Sequence, residues 1–213
     1  MTYIENVFIC IAVPLMLSLL FIRGNQRKFT MFLCVGMFIC MLSAYVNSFF
    51  MEFYNVDGTT AAIEISPVCE EIMKLVPLLF YIIIFEPKPE EITPAAISIA
   101  VGFATFENVC YMSENGAGDF TFLIIRGMSA GAIHILCGCA VGLGIAYVFR
   151  KRWLVAAGTV GILGACIVFH ALYNLLITAE GMWQTIGYFF PSVLIICIFV
   201  LKILLPKVKI ILE

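Results

Sequence analysis

Residues 67–85 read PVCEEIMKLVPLLFYIIIF. At 1.5 Å per residue such a helix is about 28 Å long, close to the roughly 30 Å of a bilayer's hydrocarbon core. Its second half is apolar on every side, whereas its first half holds Glu70, Glu71 and Lys74. A helix with apolar residues all round belongs inside a large core or a membrane. The rest of the chain chooses between the two. Of 213 residues, 63% are apolar and 12% charged, and mean hydropathy is +1.08. Soluble domains run near 45–50% apolar and about 25% charged, so too few polar groups remain here to clothe a water-facing surface. A net charge of −2, with Arg150-Lys151-Arg152 as the longest basic run, also excludes a basic nucleic-acid-binding surface.

Outward from this stretch, six more of similar character run at about 3–22, 30–51, 92–112, 122–149, 153–177 and 186–205. The expected fold is therefore all-α: a polytopic membrane bundle of about seven transmembrane helices, a single domain over 1–213. The first stretch has Glu5 before it and no Lys or Arg, so it reads as a retained span and not as a signal peptide. The connections are short, and the longest, Glu52 to Ser66, reads as an acidic, solvated loop.

Charge orients the bundle. Lys74 and Arg126 fall inside spans. Arg23, Arg27, Lys28, Lys88, Arg150, Lys151, Arg152, Lys202, Lys207 and Lys209 all follow odd-numbered helices. Glu5, Glu52, Asp57, Glu64, Glu114, Asp119 and Glu180 lie on the opposite side. The positive-inside rule then sets the N-terminus outside and the C-terminus in the cytoplasm.

The nine cysteines all fall within spans, so they read as small apolar residues rather than as disulfide partners. Glycines at Gly127-xxx-Gly131 and Gly138-xxx-Gly142, with Gly158, Gly161 and Gly164, are expected to let helices approach closely.

The residues a bilayer should exclude carry the functional signal. Glu70, Glu71, Lys74, Glu107, His134 and His170 are ionisable and intramembrane, with Asn108 and Asn174 beside two of them. Each ionisable residue costs a few kcal/mol at mid-bilayer, and such residues usually face a bundle interior or an aqueous cavity. Counting helix rises from the outer surface places Glu70 and Glu71 about 6–8 Å deep, Glu107 about 8 Å and His170 about 10 Å. His134 counts to about 18 Å and fits less well. A structural explanation exists for part of the set: Ser66-Pro67 resembles an N-cap followed by Pro at N1, and Glu70 and Lys74 have favoured i, i+4 salt-bridge spacing. One lysine cannot neutralise two adjacent buried carboxylates, however, which leaves Glu71 unexplained. Pro77, one turn beyond Lys74, frees a backbone carbonyl and is a candidate kink.

Four ordered motifs, Glu70-Glu71-x-x-Lys74, Phe103-x-x-Phe106-Glu107-Asn108, His134-x-x-x-Gly138 and His170-x-x-x-Asn174, make the chain resemble the PrsW family of intramembrane proteases. That family is related to the type II CAAX-prenyl proteases and to the Aph-1 subunit of gamma-secretase. The motif-bearing core is about 66–178. The resemblance implies a multi-pass protein of a bacterial plasma membrane that makes the site-1 cut in a single-span anti-sigma factor, on its extracytoplasmic side. It also implies catalytic roles for Glu70, Glu71, Glu107, His170 and Asn174, with Lys74, Asn108 and His134 supporting. Glu107 stands where the CAAX proteases have a histidine, and Asn174 where their oxyanion donor lies. On these residues the expected chemistry is attack by a water activated at Glu70, with no required cofactor and no metal ligands assigned. Zinc is the alternative, since Glu and His are common ligands, although no HExxH is present. The competing non-catalytic readings are an Aph-1-like scaffold and a proton- or cation-conducting bundle. No oligomeric state is legible.

Overall fold

The computed structural model describes residues 4–116, 118–149 and 151–204. Tyr3, Arg150, Lys207 and Lys209, used above in reading spans and charges, lie outside the described residues. Among those described there are helices and turns and no strand. The long helices are α1 (Ile4–Ser18), α2 (Gly24–Tyr54), α3 (Ser66–Phe85), α4 (Pro89–Asn115), α5 (Phe120–Val148), α6 (Val155–Thr178) and α7 (Met182–Leu204).

Five of them, α2 and α4 to α7, are long and apolar enough to cross a membrane. The other two fall short for different reasons. α1 has 15 residues, about 22 Å, and gives way to turns after Ser18, so the expected span 3–22 is shorter than read. α3 has the length, but Glu70, Glu71 and Lys74 fall in every 18-residue window of it. Its charges, not its shape, set it apart.

The expected loop from Glu52 to Ser66 is mostly helix. α2 continues to Tyr54, where Asn55 takes the left-handed conformation that commonly closes helices. A new helical segment then starts at Gly58. Its N-cap is Asp57, whose carboxylate accepts from the Thr60 N–H at 2.8 Å. It continues through a π-helical turn, Ala61–Ile65, directly into α3. Ser66 is therefore not the cap expected from Ser66-Pro67: it is already helical, and its N–H donates to the Ala61 carbonyl. Asp57 lies outside the spans, and its bond from the Thr60 N–H holds its carboxyl below the ordinary value.

Close packing sets helix register. Gly36 on α2 lies against the Ile99 backbone of α4, and Gly102 on α4 against the Leu33 backbone of α2; a Cβ at either glycine would collide with a carbonyl. On α5, a Cβ at Gly138 would lie 2.7 Å from Ala100 Cβ, and one at Gly142 2.7 Å from Thr93 Cα. Gly158 is also crowded, by Val148 of α5. The expectation for Gly138, Gly142 and Gly158 thus holds. It does not hold for Gly127, Gly131, Gly161 and Gly164, which have no neighbour within 4 Å of an added Cβ. Gly36 and Gly102, the tightest of all, have no GxxxG partner to announce them.

Candidate active site

The antiparallel register that seats Gly138 on Ala100 and Gly142 on Ala96 carries His134 up to Phe103 and Glu107, and Arg126 up to Tyr111. His134 therefore sits with the other ionisable groups, against the depth count. The reason is that α5 begins beyond the level at which α4 ends. From Phe120 to His134 is about 21 Å of helix, whereas from Glu107 to the end of α4 at Asn115 is about 12 Å.

One chain of polar contacts then joins four helices. Arg126 Nη2 donates to Glu107 Oε1 at 3.3 Å. Glu107 Oε2 lies 2.6 Å from His134 Nε2, and His134 Nδ1 lies 2.9 Å from Lys74 Nζ. Lys74 donates to Glu71 Oε1 at 2.6 Å, and the same oxygen is 2.9 Å from His170 Nδ1. The tautomers follow from the partners. An ammonium only donates, so His134 Nδ1 accepts and its Nε2–H points at Glu107. A carboxylate only accepts, so His170 Nδ1 carries its hydrogen toward Glu71 and leaves the Nε2 lone pair free. That lone pair faces Glu70 Oε2 at 3.8 Å, beyond direct hydrogen-bond range. Glu70 Oε2 is buried without a hydrogen-bond partner.

The two adjacent glutamates thus divide their roles. Of the two glutamates within its reach, Lys74 pairs with Glu71 at i, i+3, as a supporting role for Lys74 beside a catalytic Glu70 requires, and the i, i+4 pair with Glu70 is not made. Glu71, at 3% exposure, is held through Oε1 by both Lys74 and His170. Glu70 is the carboxylate with capacity to spare. The two imidazoles stack edge to face with centroids 4.9 Å apart, and Lys74 Nζ stands 4.8 Å from the Phe103 ring centroid.

Glu70 and Glu107 line a cavity of about 240 Å³ between α2, α3, α4 and α5, which reaches Asn47, Glu114 and Ile4 at the acidic ends of those helices. On the far side of Lys74 the space shrinks to about 20 Å³ among Leu75, Leu78 and Ala96. That is room for about one water.

Two expected members stand aside. Asn108 Oδ1 is buried with no partner and makes no contact with the chain of charges. Asn174 donates to the Ala62 carbonyl at 2.8 Å. Pro67, five residues after Ala62, has no N–H to give the π-turn, and Asn174 supplies the missing donor. Arg126 is the residue that sequence reasoning passed over. Its guanidinium lies 3.5 Å from the Tyr111 ring centroid and at 3.3 Å from Glu107. Its charge within an apolar span was the available signal.

Glu70, His134 and His170 each offer a ligand atom, all within 4.8 Å of one another. Two imidazoles and a carboxylate are a donor set known from catalytic zinc sites. Two donors here are free, Glu70 Oε2 and His170 Nε2, and the Nδ1–H of His170 is anchored on a carboxylate in the manner of metal-bound histidines. His134 has both nitrogens engaged and joins the set by exchanging Lys74 or Glu107. These residues fit a metal, and the expectation of a metal-free site is not confirmed.

Apolar helices of membrane-crossing length that bury carboxylates against imidazoles beside a cavity of about 240 Å³ fit an intramembrane hydrolase. The particular family is settled by comparison: the model described as PrsW family intramembrane metalloprotease matches residues 25–204, and the chain belongs to that family. It is a multi-pass membrane peptidase, with a protein substrate in a lipid bilayer. No curated protein and no solved structure matches the chain.

Proposed function

We propose that the protein makes the first, extracytoplasmic cut in a single-span anti-sigma factor, using a water held between Glu70 and His170. One observation carries the mechanism. Glu70, which lines the cavity, turns Oε2 toward His170 Nε2 across 3.8 Å, neither atom with a direct hydrogen bond, while the other nitrogen of His170 is fixed by Glu71. Glu70 takes a proton from the water as oxygen attacks the scissile carbonyl carbon. It then gives that proton to the departing amine as the C–N bond breaks. Glu71, neutralised by Lys74, orients His170. For the oxyanion, Asn174 has one N–H left beyond its bond to Ala62, and the Arg126 guanidinium is the donor that lines the cavity. A divalent metal, when bound, would be held by Glu70, His134 and His170 and would acidify the water and polarise the carbonyl.

The substrate and side of attack rest on the family resemblance and on charge. The cavity is lined by Ile4 on Glu5-bearing α1 and by Glu114 near the end of α4, on the side the positive-inside rule assigns to the exterior. The test is cleavage of a panel of membrane-anchored anti-sigma reporters. Glu70→Gln and His170→Ala should each lower cleavage at least about 100-fold, the scale of a lost acid–base group, with the protein still folded. Full cleavage by either variant overturns the mechanism; cleavage confined to reporters exposed on the cytoplasmic side overturns the orientation.

A further inference from the structure

Eight serine and threonine hydroxyls on the described helices return their hydrogen to a carbonyl of the preceding turn. Ser48 donates to Ala44 O at 2.9 Å, Ser98 to Pro94 O at 2.7 Å, Thr105 to Val101 O at 2.7 Å and Ser113 to Val109 O at 2.8 Å. Ser43 does not. It is 1% exposed, and its Oγ has no hydrogen-bond partner. One turn further along α2, Asn47 Oδ1 is also buried and unpartnered. Both residues line the cavity that holds Glu70, as does Arg126, whose Nε is unpartnered too. Of the six buried side-chain atoms without a partner among the described residues, four therefore belong to this one cavity. Buried polar groups in native proteins are normally satisfied, so each exception calls for a partner.

The spacing of the α2 pair says what kind of partner. Positions i and i+4 on a helix project side by side, about 6 Å apart along the axis. An extended chain repeats every two residues, about 6.6–6.8 Å, and presents both N–H and C=O of alternate residues along one edge. Ser43 and Asn47 thus match one edge of an extended strand: a hydroxyl to donate to one carbonyl, and an amide oxygen to accept from the N–H two residues on. An α-helical substrate offers neither group, because its main chain is already paired, and its peptide carbonyls are shielded from attack by water.

We propose that Ser43 and Asn47 on α2 form a main-chain docking edge that holds the substrate as an unwound, extended segment across the Glu70 end of the cavity. This rests on the reading above in taking the cavity as the place of cleavage. It goes beyond it in assigning α2, which bears no charged group of the site, to substrate recognition through the peptide backbone. Recognition of this kind selects spans that unwind easily and is indifferent to most side chains.

The test uses the full chain carrying Glu70→Gln, so that binding is read without turnover. The probe is a fluorescent synthetic single-span peptide with a Leu/Ala span and a short Gly/Ser segment at its outer end, titrated in nanodiscs. Ser43→Ala and Asn47→Ala should each weaken binding about 3- to 10-fold, as loss of one hydrogen bond does, with thermal stability unchanged. Backbone N-methylation of the Gly/Ser segment should weaken binding to the parent similarly, and should add little once Asn47 is alanine. Equal affinity of parent and double variant, including no measurable binding to either, overturns the proposal. So does full additivity of N-methylation with Asn47→Ala. Cleavage of the same peptide by the unsubstituted enzyme is scored separately: binding that depends on Ser43 and Asn47 without cleavage counts against the hydrolytic mechanism and not against this edge.

Discussion

The α4–α5 seam is two different interfaces end to end. In its inner half, meaning the half nearer Pro89 at the start of α4, Ala96 and Ala100 face Gly138 and Gly142, and the backbones approach until a methyl group has no room. In its outer half the same helices are bridged by Glu107, His134 and Arg126. The inner contact works by the absence of side chains and has one register. The outer contact works by long polar side chains that reach partners over several ångströms. A buried ionic network requires good geometry to offset its desolvation, and here that geometry is inherited from the tight seam below it. The comparison predicts that damage to the outer half harms chemistry and charge balance, and that damage to the inner half misplaces everything above it.

The largest effect is expected at Lys74, the buried cation that links Glu71 to His134. Lys74→Met keeps length and removes the cation from between Glu71 and His134. An uncompensated buried carboxylate remains, so stability should fall by about 3–5 kcal/mol, and cleavage should be lost. Thermal unfolding and reporter cleavage measure the two. A Lys74→Met protein of unchanged stability would show that Glu71 is protonated and that no ion pair exists there.

Next comes Gly102, which tests the tight seam between α2 and α4. A valine there meets the Leu33 carbonyl and not a flexible side chain, so a helix must shift. Overpacking costs about 1–3 kcal/mol and sometimes more. Because α4 carries Glu107 five residues on, cleavage should fall by more than the loss of folded protein explains. A variant that loses stability and activity in strict proportion would sever the link drawn between seam and site.

What the sequence disclosed and what it hid divides along the same line. Charged residues in apolar helices are conspicuous, and Glu70, Glu71, Glu107 and His170 do meet. Their partner choice was hidden, because i, i+3 and i, i+4 compete on one helix face and packing decides; Lys74 turned to Glu71. His134 was misplaced because depth was counted from helix ends, while register is set by Gly138 and Gly142 deep in the seam. Arg126 lies inside an apolar span but outside the four motifs, so no spacing ties it to Glu107. The tightest glycines, Gly36 and Gly102, have no glycine four residues away, whereas the paired Gly127 and Gly131 leave open space where a Cβ would be. Ser66-Pro67 carries a helix-start signature, but an upstream cap at Asp57 extends the helix past it. Pro67 marks instead the missing rung that Asn174 repairs.

A smaller effect is therefore expected at Asn174. Asn174→Ala removes the donor to the Ala62 carbonyl and leaves that part-buried oxygen without its partner from α6. The cost should be about 1–3 kcal/mol, concentrated in the Ala61–Ile65 turn that feeds α3. Hydrogen exchange should quicken at Ser66, whose N–H closes the turn, before it quickens at the centre of α3. If exchange is unchanged while cleavage disappears, Asn174 acts on the substrate and not on the turn.

The smallest effect should come from the glycines that look most like packing residues. Gly127 and Gly131 on α5 have the GxxxG spacing, yet a Cβ at either meets nothing within 4 Å. Both are helical, so alanine there loses no special conformation. Gly127→Ala should change stability by no more than about 1 kcal/mol, in the stabilising direction, since alanine lowers the conformational freedom of the unfolded chain. Gly138→Ala, on the same helix, should destabilise because its methyl group would lie 2.7 Å from Ala100 Cβ. Opposite signs for one substitution on one helix would isolate the seam from helix propensity. Destabilisation by Gly127→Ala would instead show that the face of α5 carrying Gly127 is covered, in the membrane, by a helix from another chain.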